Sequence, residues 1–261
     1  MPKLHPRNRA FAWRPTAAPH AILNPAQAAQ YDRDGFFLFE RAFNADEVAA
    51  VTAAIDPFET EGERWLRNQP DGKFLIAKAD AITFTIHLVA KSPALNRFSR
   101  HPVLAKIARD TLGPTPRLYW DQAVYKKPRN PEEFPWHQDN GYTYIEPQQY
   151  LTCWIALTDA TADNGCPWVV PGLHRSGTLA HEATPLGWQC LSNPDDAIPV
   201  EAKAGDIVVF SSLTPHRTGP NLTNTTRKAY ILQYAPDGAR AFPNGGDTAV
   251  VQDDVARQYL V

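Results

Sequence analysis

The chain has 261 residues, enough for one large domain with a substantial core. Hydrophobic residues make up 43% and charged residues 21%, which excludes intrinsic disorder. The formal charge of −2 and the lack of a dense basic block argue against nucleic acid or an anionic membrane surface as a partner. The nearest thing to such a block, Lys126-Lys127-Pro128-Arg129, reads as a solvated loop. No window approaches eighteen uninterrupted apolar residues, so no transmembrane helix is expected. The opening MPKLHPRNRAFAWRP is basic but has no apolar run behind it, unlike a secretory signal. Cys153, Cys166 and Cys190 lack C-x-x-C spacing and read as free thiols, for which a reducing, cytoplasmic compartment is expected.

The first elements are helical. NPAQAAQYDRDG has Asn24 as a cap, Pro25 at the first helical position and Gly35 as a stop. GFFLFERAF is a short strand. NADEVAAVTAAI opens with Asn44 and Glu47 in capping-box spacing, with Val48, Val51 and Ile55 on one face. SPALNRFSRHPVLAKIARDTLG gives one or two further helical pieces, ending at Gly113. From Pro114 the pattern changes to β-branched and aromatic runs between turn residues: RLYWDQAVYKK, YLTCWIALTDA, CPWVVPG, GDIVVFSSL and KAYILQYAP. The expected fold is mainly β with N-terminal α elements: a double-stranded β-helix (jelly-roll, cupin-like) core over 114–240, with a mostly helical cover over 1–113, in a single domain spanning 1–261. No nucleotide-binding glycine motif and no repeat is found.

The stretch FPWHQDNGY, residues 134–142, places His137 and Asp139 two positions apart. On an extended strand such residues share a face, with Gln138 turned away. By itself H-x-D is a weak signal, equally compatible with a turn or a surface ion pair. His216 lies just past the strand GDIVVFSSL, where a loop can aim it, although a lone histidine more commonly makes a structural hydrogen bond. Two histidines and a carboxylate together are the facial set of non-haem Fe(II) oxygenases. Arg227 begins the following strand, and a return from the His216 loop would bring its guanidinium, suited to holding a carboxylate, near the same cavity. His174 is a rival ligand on a turn motif, and His181 and His87 are weaker ones.

Three ordered segments, PWHQDNGY, LTCWIALTDATADNGCPWVVPGLHR and PHRTGPNLTNTTRKAY, together resemble the phytanoyl-CoA dioxygenase family of Fe(II)- and 2-oxoglutarate-dependent oxygenases. YDRDGFFLFERAFNADEV also fits the family's usual opening, so the resemblance covers nearly the whole chain. It implies His137, Asp139 and His216 as iron ligands, Arg227 on the distal carboxylate of 2-oxoglutarate, and Trp154 and Gln122 beside that co-substrate. A further lysine found in some relatives is left unassigned, because ADAITFTIHL has Lys78 ahead of it but none inside. The implied reaction uses O2, releases succinate and CO2, and hydroxylates an aliphatic carbon. Relatives that halogenate have a small residue where Asp139 stands. The same cofactors could also drive desaturation, cyclisation or phosphonate oxidation, and a non-catalytic cupin-like module is a further alternative. Proximity to the ligands nominates Phe134, Asn140, Tyr142 and Tyr144 as substrate walls, with Trp120 and Trp188 behind them. No basic cluster recommends a CoA thioester, so a small metabolite or natural-product intermediate is expected.

Overall fold

The computed structural model describes residues 2–261. Four helices precede the main β region: α1 (Pro25–Asp34), α2 (Ala45–Arg67), α3 (Pro93–Phe98) and α4 (Pro102–Leu112). Asn24 and Asn44 cap α1 and α2, and each closes a capping box with the residue three positions on, Gln27 and Glu47. Gly35 ends α1 at φ 83°, and a Cβ built there would lie 2.5 Å from both the His174 ring and Thr214 Oγ1. α2 runs beyond the expected NADEVAAVTAAI segment, through Pro57 to Arg67. The buried face of Val48, Val51 and Ile55 continues through Glu59, Glu63 and Leu66, and this packing offsets the backbone bond lost at the proline.

Sixteen strands follow the chain among the described residues. The first five are β1 (Phe36–Phe39), β2 (Lys73–Phe74), β3 (Ala77–Lys78), β4 (Ile82–Ile86) and β5 (Pro116–Lys126). Next come β6 (Tyr144–Glu146), β7 (Leu151–Ala156), β8 (Pro167–Val169), β9 (Glu182–Thr184), β10 (Gly187–Gln189) and β11 (Ile198–Pro199). The last are β12 (Ile207–Ser211), β13 (His216–Thr218), β14 (Arg227–Pro236), β15 (Arg240–Phe242) and β16 (Val250–Val251). Eight form one open antiparallel sheet in the order β1-β12-β7-β14-β5-β4-β3-β2. A smaller sheet, β11-β8-β13, is extended by a bridge between His216 and His137. This is the expected jelly-roll architecture, mostly β with the helices packed outside. Residues 1–113 carry all four α helices, but they also supply β1 to β4, half the strands of the large sheet.

Alternation along the central strands sorts side chains into two cores. Leu151, Cys153 and Ile155 of β7, with Tyr230, Leu232 and Tyr234 of β14, face the helices and pack with Ile55, Leu104 and Ile107. Trp154 and Ala156, with Ala229 and Ile231, face the other way and pack with Phe36, Val169 and Phe210 between the sheets. The sheet is irregular at one point. Gln233 pairs with Trp120 but Tyr234 pairs with Leu118, so Tyr119 is an extra residue in β5. That bulge lets Leu118 join the helix-side core while Tyr119 and Trp120 both reach the cavity on the opposite face.

Candidate metal centre and adjoining cavity

His137 and His216 are 79 positions apart in the chain yet are direct cross-strand partners. The backbone N–H of each donates to the carbonyl of the other, at 2.9 and 2.8 Å, and the ring centroids are 4.2 Å apart. Two residues on, the chain leaves the extended conformation for a 3-10 turn over Asp139–Gly141, which points the Asp139 carboxylate back at the two rings. One ligand atom from each of His137, Asp139 and His216 lies within 4.8 Å of the others. Nε2 of His137 and of His216 lie 4.0 and 3.8 Å from Asp139 Oδ1.

The hydrogen bonds around the three side chains leave the metal-facing atoms free. His137 Nδ1 donates to the Pro135 carbonyl at 2.8 Å, and His216 Nδ1 to the Thr214 carbonyl at 3.0 Å, so each Nε2 presents its lone pair inward. Thr152 Oγ1 donates to Asp139 Oδ2 at 2.5 Å, and Gln233 Nε2 donates to that threonine oxygen at 3.3 Å. Burial, reinforced by the neighbouring imidazole of His216, pushes the His137 pKa down to about 3; burial pushes that of His216 down to about 4. Both rings are therefore neutral at pH 7, the form that ligates. Burial also raises the Asp139 pKa, a penalty that a cation between the three donors would reverse. Two imidazole nitrogens and one carboxylate oxygen on one side of a point fit a divalent iron with open positions opposite.

A second polar feature lies between the sheets. Arg227 opens β14, is 1% exposed, and has its guanidinium over the Trp154 ring, with Cζ 5.2 Å from the centroid. Its Nη1 donates to the Val124 carbonyl at 3.2 Å, while Nε and Nη2 have no partner among the described residues. Burial lowers its pKa to about 10, so it stays ionised at neutral pH. Opposite it in the β5–β14 register is Lys126, also 1% exposed. The KKPR stretch is therefore not a solvated loop at its first residue: Lys126 ends β5 on an inward-facing position. Its ammonium donates to the carbonyls of Glu132 at 3.1 Å, Thr218 at 3.4 Å and Gly219, and burial with the adjacent Arg227 lowers its pKa to about 7. Lys126 is satisfied by backbone oxygens and Arg227 is not, which makes Arg227 the buried cation with capacity for a carboxylate. Trp154, 4% exposed, shares a strand face with Thr152, so the arginine and the metal-facing carboxylate border one interior.

A cavity of about 460 Å³ opens onto the cluster, within the range of about 300–1,000 Å³ typical of small-molecule sites. His137 and Asp139 line it, with Phe134, Tyr142, Trp120 and Gln122 from the expected set. Gln122 is half-buried and accepts from Trp120 Nε1 at 3.3 Å. Asn140 and Tyr144 do not reach it, contrary to the reading from proximity. Asn140 is fully buried in the turn, donating to Thr178 Oγ1 at 2.6 Å and accepting from the Ile145 N–H at 2.8 Å. Tyr144 points to the N-terminal segment, stacked on His5 at 4.7 Å with its hydroxyl on the Arg7 carbonyl. Trp188 is 41% exposed and does not line the cavity. The rival histidines fall outside the cluster. His174 is buried edge-on to Trp13, and His87 contacts Arg257 and Trp120. His181 Nε2 accepts from the Gln138 N–H at 2.9 Å, bracing the strand between the two ligands.

Several residues here escaped the sequence reading. Thr152 had a signal, since the alternation that selects Trp154 selects its neighbour two positions earlier. Tyr119, Tyr150, Gln233 and the Phe74–Ala77 hairpin had none, because their approach depends on a bulge and on long-range pairing.

Residues 31–229 match the family model for phytanoyl-CoA dioxygenase. The chain is 26% identical to phytanoyl-CoA dioxygenase domain-containing protein 1 of Bos taurus, covering 81% of this chain and 90% of that one. It is 28% identical to an ectoine dioxygenase of Bordetella bronchiseptica, covering 81% and 75%. Among solved structures, the α-ketoglutarate-dependent carbocyclase SnoK from nogalamycin biosynthesis superposes with a TM-score of 0.74 at 22% identity, over 92% of this chain and 97% of that one. EctD from S. alaskensis, solved with 2-oxoglutarate and 5-hydroxyectoine, gives 0.71 at 23% identity, over 94% and 86%. Among the described residues no helix is long and apolar enough to cross a membrane. A family match over that length, on a chain that converges two histidines and an aspartate between jelly-roll sheets, places this protein in the phytanoyl-CoA dioxygenase family.

Proposed function

We propose that the protein is an Fe(II)- and 2-oxoglutarate-dependent dioxygenase that hydroxylates an aliphatic carbon of a small molecule. The observation that carries this reading is the convergence of three buried donors, with both Nε2 lone pairs and one carboxylate oxygen unencumbered, beside a buried guanidinium that has two unpartnered nitrogens. His137 Nε2, His216 Nε2 and Asp139 Oδ1 would hold the iron. Arg227 would hold the distal carboxylate of 2-oxoglutarate, with Trp154 and Gln122 bordering it.

When bound, iron with 2-oxoglutarate and O2 supplies the oxidising chemistry, releasing succinate and CO2 and adding one oxygen to a substrate C–H bond. The chain's own contribution is orientation and exclusion. The Pro135 and Thr214 carbonyls fix the tautomer and ring plane of the two histidines. Thr152 donates to Oδ2 of Asp139, which leaves Oδ1 as the oxygen that would ligate the iron. Aromatic walls keep bulk water off the substrate carbon. The relatives' names include dioxygenases of ectoine and of phytanoyl-CoA, which supports a small-molecule substrate here.

The test is an anaerobic titration of the Fe(II)-loaded protein with 2-oxoglutarate, followed by the visible charge-transfer absorption of the chelate. The band should saturate at one equivalent. His137→Ala and Asp139→Ala should abolish both the band and succinate formation; turnover at the normal rate in either variant would refute the assignment.

A further inference from the structure

The cavity has an electrical and a surface character that narrow its occupant. Among the described residues it is lined by no lysine and no arginine, and Asp139, its one carboxylate, is committed to the metal cluster. Its other polar lining groups are neutral: the amides of Gln122, at the co-substrate border, and Gln233, the Thr143 hydroxyl and tyrosine hydroxyls. A phosphate, carboxylate or ammonium entering here would be desolvated without a counter-ion. Most of the remaining wall is flat and aromatic, contributed among others by Tyr119, Trp120, Phe134, Tyr142 and Tyr150, with Leu75, Ile76, Ala77 and Ile86 as its aliphatic part.

The outer wall is a hairpin with unusual exposure. Thirteen large hydrophobic side chains are exposed among the described residues, and four of them, Phe74, Leu75, Ile86 and Tyr142, line this one cavity. Leu75 is 75% exposed and sits at φ 52°, the positive-φ conformation that a two-residue hairpin turn takes at its first central position, which projects the side chain at the cavity rim. The hairpin is anchored rather than free. Phe74 packs edge-on against Trp65 at 5.0 Å, and Lys73 Nζ donates to the Pro185 carbonyl at 3.2 Å. On the far side of that contact Gly187 closes the wall at φ 127°, where an added Cβ would lie 2.7 Å from the Tyr142 hydroxyl.

We propose that the β2–β3 hairpin, through Phe74 and Leu75, selects an uncharged, flat ring system as the substrate of this site, and that phosphorylated, carboxylate-bearing or cationic molecules, CoA thioesters included, are excluded. The inference rests on the proposed function only in calling the occupant a substrate. Three probes that share one naphthalene ring test it by calorimetry on the anaerobic protein loaded with Fe(II) and 2-oxoglutarate: 2-naphthylmethanol, 2-naphthylmethylammonium and naphthalene-2-sulfonate. The alcohol should bind roughly tenfold or more tightly than either charged probe. Leu75→Ser and Phe74→Ser should each weaken it by roughly tenfold, the loss of one apolar contact surface. Leu222→Ser, at another exposed leucine (62%) that lies outside the cavity, should not change it. Circular dichroism melting establishes that each variant is folded. Equal affinity for a charged probe, no saturable binding of the alcohol, or unchanged affinity in both hairpin variants would overturn the inference. The absorption band of the same sample reports separately on iron and 2-oxoglutarate, so a saturating band without probe selectivity defeats the hairpin's role alone, and a missing band defeats the proposed function.

Discussion

Arg227→Met separates two roles that a buried cation can have, because the reasoning gives them opposite signs. In the metal-free protein the guanidinium is 1% exposed, with one hydrogen bond, to the Val124 carbonyl, and two nitrogens unpartnered. Methionine is of similar length and removes an incompletely compensated buried charge, so the metal-free variant should be as stable as the wild type or more so, by up to about 4 kcal/mol. Co-substrate binding should move the other way. With 2-oxoglutarate at a hundred times its Kd, the wild type gains about 2.7 kcal/mol of stability. At about 2–4 °C per kcal/mol for a domain near this size, that is a rise in Tm of about 5–10 °C. Losing a desolvated charge pair costs about 2–5 kcal/mol of affinity, or about 30-fold at the least. At the same concentration the variant's gain then falls below about 0.9 kcal/mol. Anaerobic thermal denaturation of both proteins, metal-free and then with Fe(II) with and without 2-oxoglutarate, reads both quantities. A variant that lost several kcal/mol without co-substrate, yet kept the full rise with it, would show that Arg227 is structural and that another group holds the carboxylate.

Thr152→Val removes the donor to Asp139 Oδ2 and leaves that oxygen free to swing; Fe(II) affinity should drop about 10–100-fold in a competition assay with a coloured chelator, and an unchanged affinity would dismiss the contact. Gly141→Ala places a Cβ 2.0–2.3 Å from the His181 ring, which must then release the Gln138 N–H; unfolding should ease by more than about 2 kcal/mol in urea, and metal affinity should fall with it. Acid should destabilise the metal-free protein. Burial lowers the pKa of His137, His174, His181 and His216 to between about 3 and 4, below the unfolded value near 6.5, so the unfolded state takes up their protons first. Stability is intact above about 6.5 and falls as pH drops towards 4, by up to about 1.4 kcal/mol per pH unit for each histidine, with raised carboxyls such as Asp121 opposing in part. A urea midpoint that is constant or rising from pH 7 to 5 would contradict this.

What was legible in the sequence follows from the range of the interactions involved. Helix starts at Asn24 and Asn44 are set by side chains three residues apart, and both capping boxes form as read. His137 and Asp139 are local in the same sense, two positions apart in one segment, although they converge through the 3-10 turn that begins at Asp139 and not on the one strand face expected. Their meeting with His216 depends on a strand pairing 79 residues long in sequence, and it became readable only through the ordered resemblance of the flanking segments. Asn140 and Tyr144 show the limit of proximity. Each is next to a lining residue, but the 3-10 turn at 139–141 and the reversal of β6 carry their side chains to Thr178 and His5. The cavity's outer wall was not legible at all. KFLIAK has no period that distinguishes a loop from a two-residue hairpin, and its position over the metal cluster is set by pairing through β4 to β5.

These differences in range correspond to a division of charge across the site. On the Trp154 side the interior holds two basic side chains, Lys126 satisfied by three carbonyls and Arg227 left open; on the Trp120 side it holds none. In the proposed reading a dianionic co-substrate is drawn to the first side by its one unsatisfied guanidinium, and its two charges are then matched by that arginine and the metal. A charged substrate on the second side would meet nothing to balance it. The bulge at Tyr119 is where the two sides are set apart, because it keeps Gln122, Val124 and Lys126 on the interior face in alternation while freeing Tyr119 and Trp120 together to form an apolar wall. Deleting that one residue would restore regular pairing, leave Leu118 opposite Tyr234 on the helix side and remove one aromatic ring from the cavity wall. Co-substrate binding would then persist while substrate selection weakened, since the arginine lies six residues or more from the change along either paired strand.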